Sequence, residues 1–267
     1  MENGEMVQRY VVSQQPNDIS VSGSSISIRH NGGASIAKVA TDNYTPDMYQ
    51  EYILLNKTFA FTVDLSSISC SCDAAITVVS MPGYGSNNQP EAGQYGTYYC
   101  DANKVNGVYC WEYDFMEANK YVSQTTPHQC SQNAGGYITN CDGGGCATNT
   151  YYVNNNGLCP SSNCKINTAQ GPFRQEISFY GADQGYKMYV KLIQSGNVFD
   201  YLVCYDNEGY RQSMSQPLSY GMAIAMVYWG DNYSDMKWLD AMTGCQGDCA
   251  GTGQVVFSNI SIGPIMG

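Results

Sequence analysis

Apolar and polar positions alternate with period two through much of the chain, in short runs broken by turn-forming residues. That alternation sends successive side chains to opposite faces of an extended strand. Residues 7–30 carry it in patches, as at Ile19 and Val21 and again at Ile26 and Ile28, and predict a hairpin with its turn at Ser22-Gly23-Ser24. Two strands are predicted over 51–55 and 59–64, split by Asn56-Lys57. Residues 74–81 and 220–228 are continuous apolar runs of a length suited to buried strands. Period two returns at Ile177-Phe179, from Tyr186 to Leu192, from Tyr201 to Tyr205 and over 255–262. No stretch carries a helical stripe longer than two turns. Between Pro82 and Gly96, and from Thr125 to Gly171, the pattern gives way to Gly, Asn, Ser and Cys, predicting long loops. Many strands without helices predict an all-β, two-sheet sandwich of jelly-roll type. With no internal repeat and no linker, residues 1–267 are expected to form a single domain.

One stretch departs from the chain's low charge. Residues 111–119, Trp111 to Asn119, hold Glu112, Asp114 and Glu117 between aromatic and apolar neighbours. On a regular strand Glu112 and Asp114 share a face and Glu117 points away. One extra residue at Phe115-Met116, a β-bulge, returns Glu117 to that face. Carboxyls so close cannot all ionise at their ordinary values, so at least one is pushed upward. A protonated carboxyl beside an ionised one is what glycoside hydrolysis with retention requires. The competing reading of the same spacing is an exposed acidic strand edge.

Composition narrows the classes. Lys and Arg number 12 against 23 Asp and Glu, a net charge of −11, which argues against nucleic acid and anionic membrane as partners. No run approaches the roughly 18 apolar residues of a membrane span. The chain has 12 cysteines, 2 histidines (His30, His128) and no Cys-x-x-Cys pair, so disulfides in an oxidising compartment are expected rather than a zinc site. The first 25 residues lack the apolar core of a signal peptide, so the numbering is expected to begin after processing or at a supplied initiator Met. Sequons at Asn43, Asn56, Asn232 and Asn259 fit secretion. Trp229 and Trp238 bracket a stretch of Asp, Asn and Tyr, the chemistry of a sugar platform, since pyranose faces are apolar and their edges polar. Tyr84, Tyr95, Tyr98 and Tyr99 are further candidates.

These residues carry a family resemblance. Glu112-Tyr-Asp114-Phe-Met-Glu117-Ala-Asn119, followed by Thr126-Pro127-His128-Gln129-Cys130, resembles the active-site segment of glycoside hydrolase family 7, the fungal cellobiohydrolases and endoglucanases acting on cellulose. Phe61 to Leu65, Ala75 to Met81, Gly221 to Trp229, Met236 to Asp240 and Val256 to Pro264 resemble further strands and loops of that family. Tyr95 to Asp101 resembles its substrate-groove strand. The resemblance implies a concanavalin-like jelly roll of two curved antiparallel sheets with a concave substrate face. It implies Glu112 as nucleophile, Glu117 as acid/base, Asp114 hydrogen-bonded to Glu112, and His128 near Glu117. Trp229 and Trp238 would stack sugars, and Tyr99 and Asp101 would face the groove. It also implies the disulfides Cys100–Cys110, Cys130–Cys159, Cys141–Cys146 and Cys164–Cys204, with Cys70 and Cys72 joined to Cys245 and Cys249 in either order.

The chain is shorter than typical members, and the segments from Cys100 to Cys110 and from Cys204 to Gly221 are abbreviated. Asn154 stands where cellobiohydrolases carry a product-binding arginine. An open cleft cutting internal bonds of a β-1,4-glucan is therefore expected, with no cofactor. The alternatives are a hydrolase of a mixed-linkage or substituted glucan, and a catalytically weak or inactive structural or glycan-binding protein on the same fold.

Overall fold

A computed structural model describes residues 1–13, 18–93 and 96–265. In chain order its first strands are β1 (Tyr10–Ser13), β2 (Ile19–Ser22), β3 (Ser25–Arg29), β4 (Gly32–Ala37), β5 (Glu51–Tyr52), β6 (Lys57–Asp64), β7 (Cys72–Val79), β8 (Glu112–Asn119) and β9 (Val122–His128). Then come β10 (Thr148–Asn149), helix α1 (Thr150–Val153), β11 (Leu158–Cys159), β12 (Ile166–Asn167), β13 (Phe173–Phe179), β14 (Met188–Gln194) and β15 (Asn197–Leu202). Helix α2 (Glu208–Tyr220), β16 (Met222–Gly230), helix α3 (Tyr233–Asp240) and β17 (Gln254–Pro264) complete the order.

Among the described residues the strands build two large sheets. One is ordered β1-β4-β16-β7-β8-β9-β10, with β5 also on β16; the other is β15-β14-β13-β6-β17-β3-β2. The pairings within both are antiparallel. The sandwich expected from the alternation is thus present, and its core lies between the sheets. Ile76, Val78, Tyr113, Phe115, Ile224 and Met226 from the first sheet pack with Phe59, Phe61, Ile177, Val190 and Phe257 from the second. The rings of Phe59 and Phe115 are 4.9 Å apart, and those of Phe115 and Phe179 5.5 Å. Each such side chain stabilises the fold by roughly 1.5–3 kcal/mol. The other face of the first sheet is left for a cleft. Among the described residues no helix is long and apolar enough to cross a membrane.

Several expectations are corrected. The two strands expected over 51–55 and 59–64 are present with shifted bounds, the first shortened to Glu51–Tyr52 on β16 and the second starting at Lys57 between β13 and β17. Strand β9 continues to His128, where a loop was expected from Thr125. Its C-terminal half is buried but polar, so it gives no apolar signal, and the Thr125 hydroxyl is occupied by the Phe115 carbonyl and Tyr201. Helix α2 runs for 13 residues where no stripe beyond two turns was expected. Its buried Tyr210, Met214 and Leu218 recur every fourth position in single file, a stripe interrupted by Arg211 and Pro217. Asn207 caps its start, and Arg211 donates to the carbonyls of Cys204, Tyr205 and Tyr186. The expected groove strand at 95–101 is irregular over 96–100, with Tyr98 at a positive φ of 57°; Tyr95 lies outside the described residues.

The disulfides use all twelve cysteines. Cys100–Cys110 is as implied, and the open pair resolves to Cys70–Cys245 and Cys72–Cys249. The rest differ: Cys130–Cys141, Cys146–Cys204 and Cys159–Cys164 replace the three implied pairings. Local backbone geometry decides this. Residues 129–142 double back, Ser131 N–H donating to the Asn140 carbonyl and Asp142 N–H to that of Gln129, which places Cys130 opposite Cys141. Cys146 lies two residues before Thr148, whose hydroxyl accepts the N–H of Cys204.

Candidate active site

The sequence places a bulge in β8, and the register contains it. Against β7, Asp114 faces Thr77 and Met116 faces Ile76; against β9, Asp114 faces Thr126 and Glu117 faces Gln124. One residue of β8 is therefore extra on both sides, in the Phe115-Met116 stretch. The Phe115 carbonyl at this bulge accepts from Thr125 Oγ1 at 3.1 Å and from Gln175 Nε2 at 2.6 Å, the latter reaching across from β13.

The bulge sets the parity of an entire surface. Alternate residues of four neighbouring strands line a cleft of about 1200 Å³: Val227 and Trp229 on β16, Asp73, Ala75 and Thr77 on β7, Glu112, Asp114 and Glu117 on β8, and Gln124, Thr126 and His128 on β9. Tyr99, Asp101 and Asn106 from a loop, Asn31 and Gly32, and Trp238 of α3 also line it. The eight residues to which the resemblance gave a role, Tyr99, Asp101, Glu112, Asp114, Glu117, His128, Trp229 and Trp238, all line this one cleft. The exposed acidic edge is excluded, since Glu112 and Asp114 are 5% and 6% exposed. Tyr84 and Tyr98 lie away from it: Tyr84 bridges to Pro90, and Tyr98 packs on a separate cluster with Met81 and Val108. Sequence reading missed Asp73, Gln124 and Thr126. For Asp73 the signal was there, a lone acid at the start of a buried run and in phase with Ala75 and Thr77.

Two implied contacts are rearranged. Asp114 Oδ2 is bonded to His128 Nε2 at 2.9 Å rather than to Glu112. His128 faces Glu112 across the β8–β9 ladder rather than lying near Glu117. Its Nδ1–H donates to the Asp142 carbonyl at 2.8 Å, which leaves Nε2 for Asp114. Glu112 Oε2 accepts from Ala102 N–H at 3.0 Å, and Glu117 Oε2 from the Thr126 hydroxyl at 3.0 Å. Asp101 Oδ1 accepts from the N–H groups of Asn103 and Val105, fixing the loop that carries Tyr99.

The electrostatics follow from burial and crowding. Burial, then the Asp114 charge, raise Glu112 well above the ordinary glutamate range, opposed by His128 and the Ala102 N–H. Burial, then Asp114, Asp73 and Glu112, raise Glu117 likewise, opposed only by the Thr126 hydroxyl. Burial works against a charged His128, but the hydrogen bond and charge of Asp114, with Glu112, outweigh it and push the imidazole up to about 9. Burial also raises Asp101 and the Tyr99 hydroxyl. The arrangement thus holds the His128 imidazolium against Asp114 among acids of which Glu112, Glu117, Asp101 and Asp73 all resist ionisation. Ligand atoms of Glu112, Asp114 and His128 lie within 4.8 Å of one another, close enough to share a cation, a space the His128–Asp114 pair now uses. The similar group Cys70, Asp240 and Cys245 offers no thiolate, because its cysteines are joined.

Comparison with known proteins agrees with this geometry. The model of Glycosyl hydrolase family 7 matches residues 11–106, ending before the acidic strand. Endoglucanase 1 of Humicola insolens is 28% identical over 295 residues, covering 91% of this chain and 72% of that protein. Endoglucanase EG-1 of Hypocrea jecorina is 27% identical, covering 92% of this chain and 62% of that one. The native Humicola insolens endocellulase EGI superposes with a TM-score of 0.71 at 24% identity, over 93% of this chain and 78% of that one. A family 7 cellobiohydrolase of Daphnia pulex gives 0.71 at 23%, over 92% and 80%. The family model over the N-terminal third, the relatives aligned over nine-tenths of this chain and the shared two-sheet fold all support the similarity of this chain to glycosyl hydrolase family 7.

Proposed function

We propose that the chain is one catalytic domain, secreted, that hydrolyses internal bonds of a β-1,4-glucan with retention in an open cleft. The observation that carries this is the row Glu112, Asp114 and Glu117 on one face, held there by the bulge. Retaining hydrolysis assigns two carboxyls different protonation states, and pairs whose surroundings differ reveal which is which. Glu112 faces Asp114 and Asp101 but has an N–H donor and the His128 charge to stabilise its anion; Glu117 has one hydroxyl and faces three acids. The proton therefore rests on Glu117.

In the first step Glu112 attacks the anomeric carbon while Glu117 gives its proton to the leaving glycosidic oxygen, leaving a glycosyl ester on Glu112. In the second, Glu117 takes a proton from water, which attacks the anomeric carbon and releases Glu112. Asp114 lies between them and ties His128 beside Glu112. Trp229 and Trp238, 40% and 41% exposed, offer ring faces on which pyranoses stack. Their exposure supports a cleft open along its length, entered by a chain at any point. The endoglucanase relatives support β-1,4-glucan as substrate, and six disulfides support an extracellular setting.

The test is reducing-sugar release from soluble β-glucans, with Glu112→Gln and Glu117→Gln as controls and the anomeric form of the first product read by NMR. Cleavage abolished by either substitution, with the β-anomer formed first, is expected. A folded protein inert on every glucan overturns the hydrolase reading in favour of a glycan-binding surface.

A further inference from the structure

Asp73 opens β7 on the cleft face and is 1% exposed. A buried carboxyl is costly unless its oxygens are bound, and both are. Oδ1 accepts from the backbone N–H of Ala118 at 2.8 Å, the residue after Glu117. Oδ2 accepts from the indole Nε1–H of Trp229 at 3.0 Å. The register makes this arrangement natural: Trp229 is the partner of Asp73 across β16 and β7, and Ala118 is the partner of the next residue, Ala74, across β7 and β8. One side chain in the central strand therefore links the two strands that flank it. On one side it holds a half-exposed aromatic ring. On the other it holds the backbone just past the bulge, where the inserted residue perturbs the regular ladder.

Without that bond, an indole on an open sheet face keeps freedom about its side-chain torsions. With it, the ring plane is fixed relative to the backbone that carries Glu117. We propose that Asp73 is a positioning residue that holds the Trp229 ring and the Glu117–Ala118 backbone in one frame, so that a glucan ring stacked on Trp229 is presented to the Glu117 carboxyl at a set distance. The proposal rests on the hydrolase reading of Glu117. Burial pushes the Asp73 carboxyl itself up to about 8, and once ionised its charge resists the ionisation of Glu117. Glu117 faces Asp114 and Glu112 from its own strand, Asp73 from β7 and the Thr126 hydroxyl from β9, while His128 on β9 pairs with Asp114. Removing the Asp73 acid takes away one of the groups that keep the proton on Glu117.

The test is a double-mutant cycle with Asp73→Asn and Trp229→Phe in the full chain. Asn offers one acceptor oxygen where two N–H donors converge, and Phe keeps a ring but lacks the N–H. Each single variant is expected to lower kcat/KM on a soluble β-glucan by about tenfold or more, as a small displacement of a bound ring does. The double variant is expected to be no worse than the weaker single, because the two residues act through one bond. Asp73→Asn alone is also expected to move the alkaline limb of kcat/KM to lower pH, which a purely structural loss leaves in place. Additive effects, or an unmoved limb, overturn the proposal.

Calorimetric binding of cellotetraose in the same four proteins separates this from the hydrolase reading. Coupled losses of affinity in proteins that never turn over retain the role of Asp73 in holding the ring and overturn the hydrolase reading. Turnover with additive losses does the reverse. Should Asp73→Asn not fold, Trp229→Phe decides: unchanged kcat/KM and unchanged affinity overturn the proposal.

Discussion

The bulge that turns Glu117 into the cleft is held from behind, and Gln175 shows how that support is testable. Gln175 is 0% exposed, sits on β13 in the opposite sheet, and sends Nε2 across the core to the Phe115 carbonyl at 2.6 Å. Its own Oε1 has no hydrogen-bond partner among the described residues. Gln175→Leu removes one buried hydrogen bond, worth about 1 kcal/mol net, but also relieves an acceptor buried at a cost of about 1–3 kcal/mol. The two nearly cancel, and the carbonyl keeps its bond from Thr125 Oγ1 at 3.1 Å. Thermal unfolding should therefore shift by less than roughly 4 °C. Activity should fall more than stability, because a displacement of Glu117 by 1 Å costs on the order of a hundredfold. Adding Thr125→Val strips both side-chain donors from the carbonyl and should deepen both losses. The assay is the unfolding midpoint together with kcat on a soluble glucan. A double variant that keeps wild-type kcat refutes the claim that these two side chains hold the bulge.

Other outcomes follow from the same geometry. Glu117→Gln, which cannot give up a proton, should lose roughly 10²–10⁴ in kcat on glucans with poor leaving groups, measured by reducing-sugar release. His128 has a native pKa raised from 6.5 to about 9, so its stabilising contribution is complete below 6.5 and is lost as pH rises through about 9. The unfolding midpoint should drop across that window, and His128→Gln should flatten the drop. Gly145 has a φ of +63°, and a Cβ there would lie 2.8 Å from His128 Nδ1 and 2.7 Å from the Pro127 carbonyl. Gly145→Ala should both destabilise the fold and lower kcat, read by the same two assays. Cys70–Cys245 and Cys72–Cys249 close nearly the same loop, with sequence separations of 175 and 177. Replacing the second pair by Ser should cost only about 2 kcal/mol in denaturant unfolding, and losing both should cost well beyond the roughly 5 kcal/mol of one long loop.

The amino-acid sequence by itself determined the layers and the acids. Period-two alternation is a local property of an extended chain, so the Ile177-Phe179 end of β13, the run through Met188, Val190 and Leu192 of β14 and the hairpin at Ser22-Gly23-Ser24 were legible as strands and turn. The bulge was legible too, because three acids spaced as Glu112, Asp114 and Glu117 share a face only if one residue is inserted. Tertiary structure decided what depends on residues distant in the chain. Strand β9 is held by polar side chains whose partners, Phe115 and Tyr201, carry no signal in its own sequence. Helix α2 buries a single file of residues whose purpose is visible only where it packs. Cysteine pairing follows backbone proximity, which spacing does not encode: Cys130 meets Cys141 because residues 129–142 fold back on themselves. The partner of Asp114 is His128 because β9 lies in one register and not another. Asp73, 39 residues before Glu112 in the sequence, reaches the same cleft because β7 is the strand beside β8. A sheet brings alternate residues of neighbouring strands to one surface, and only the strand order says which strands are neighbours.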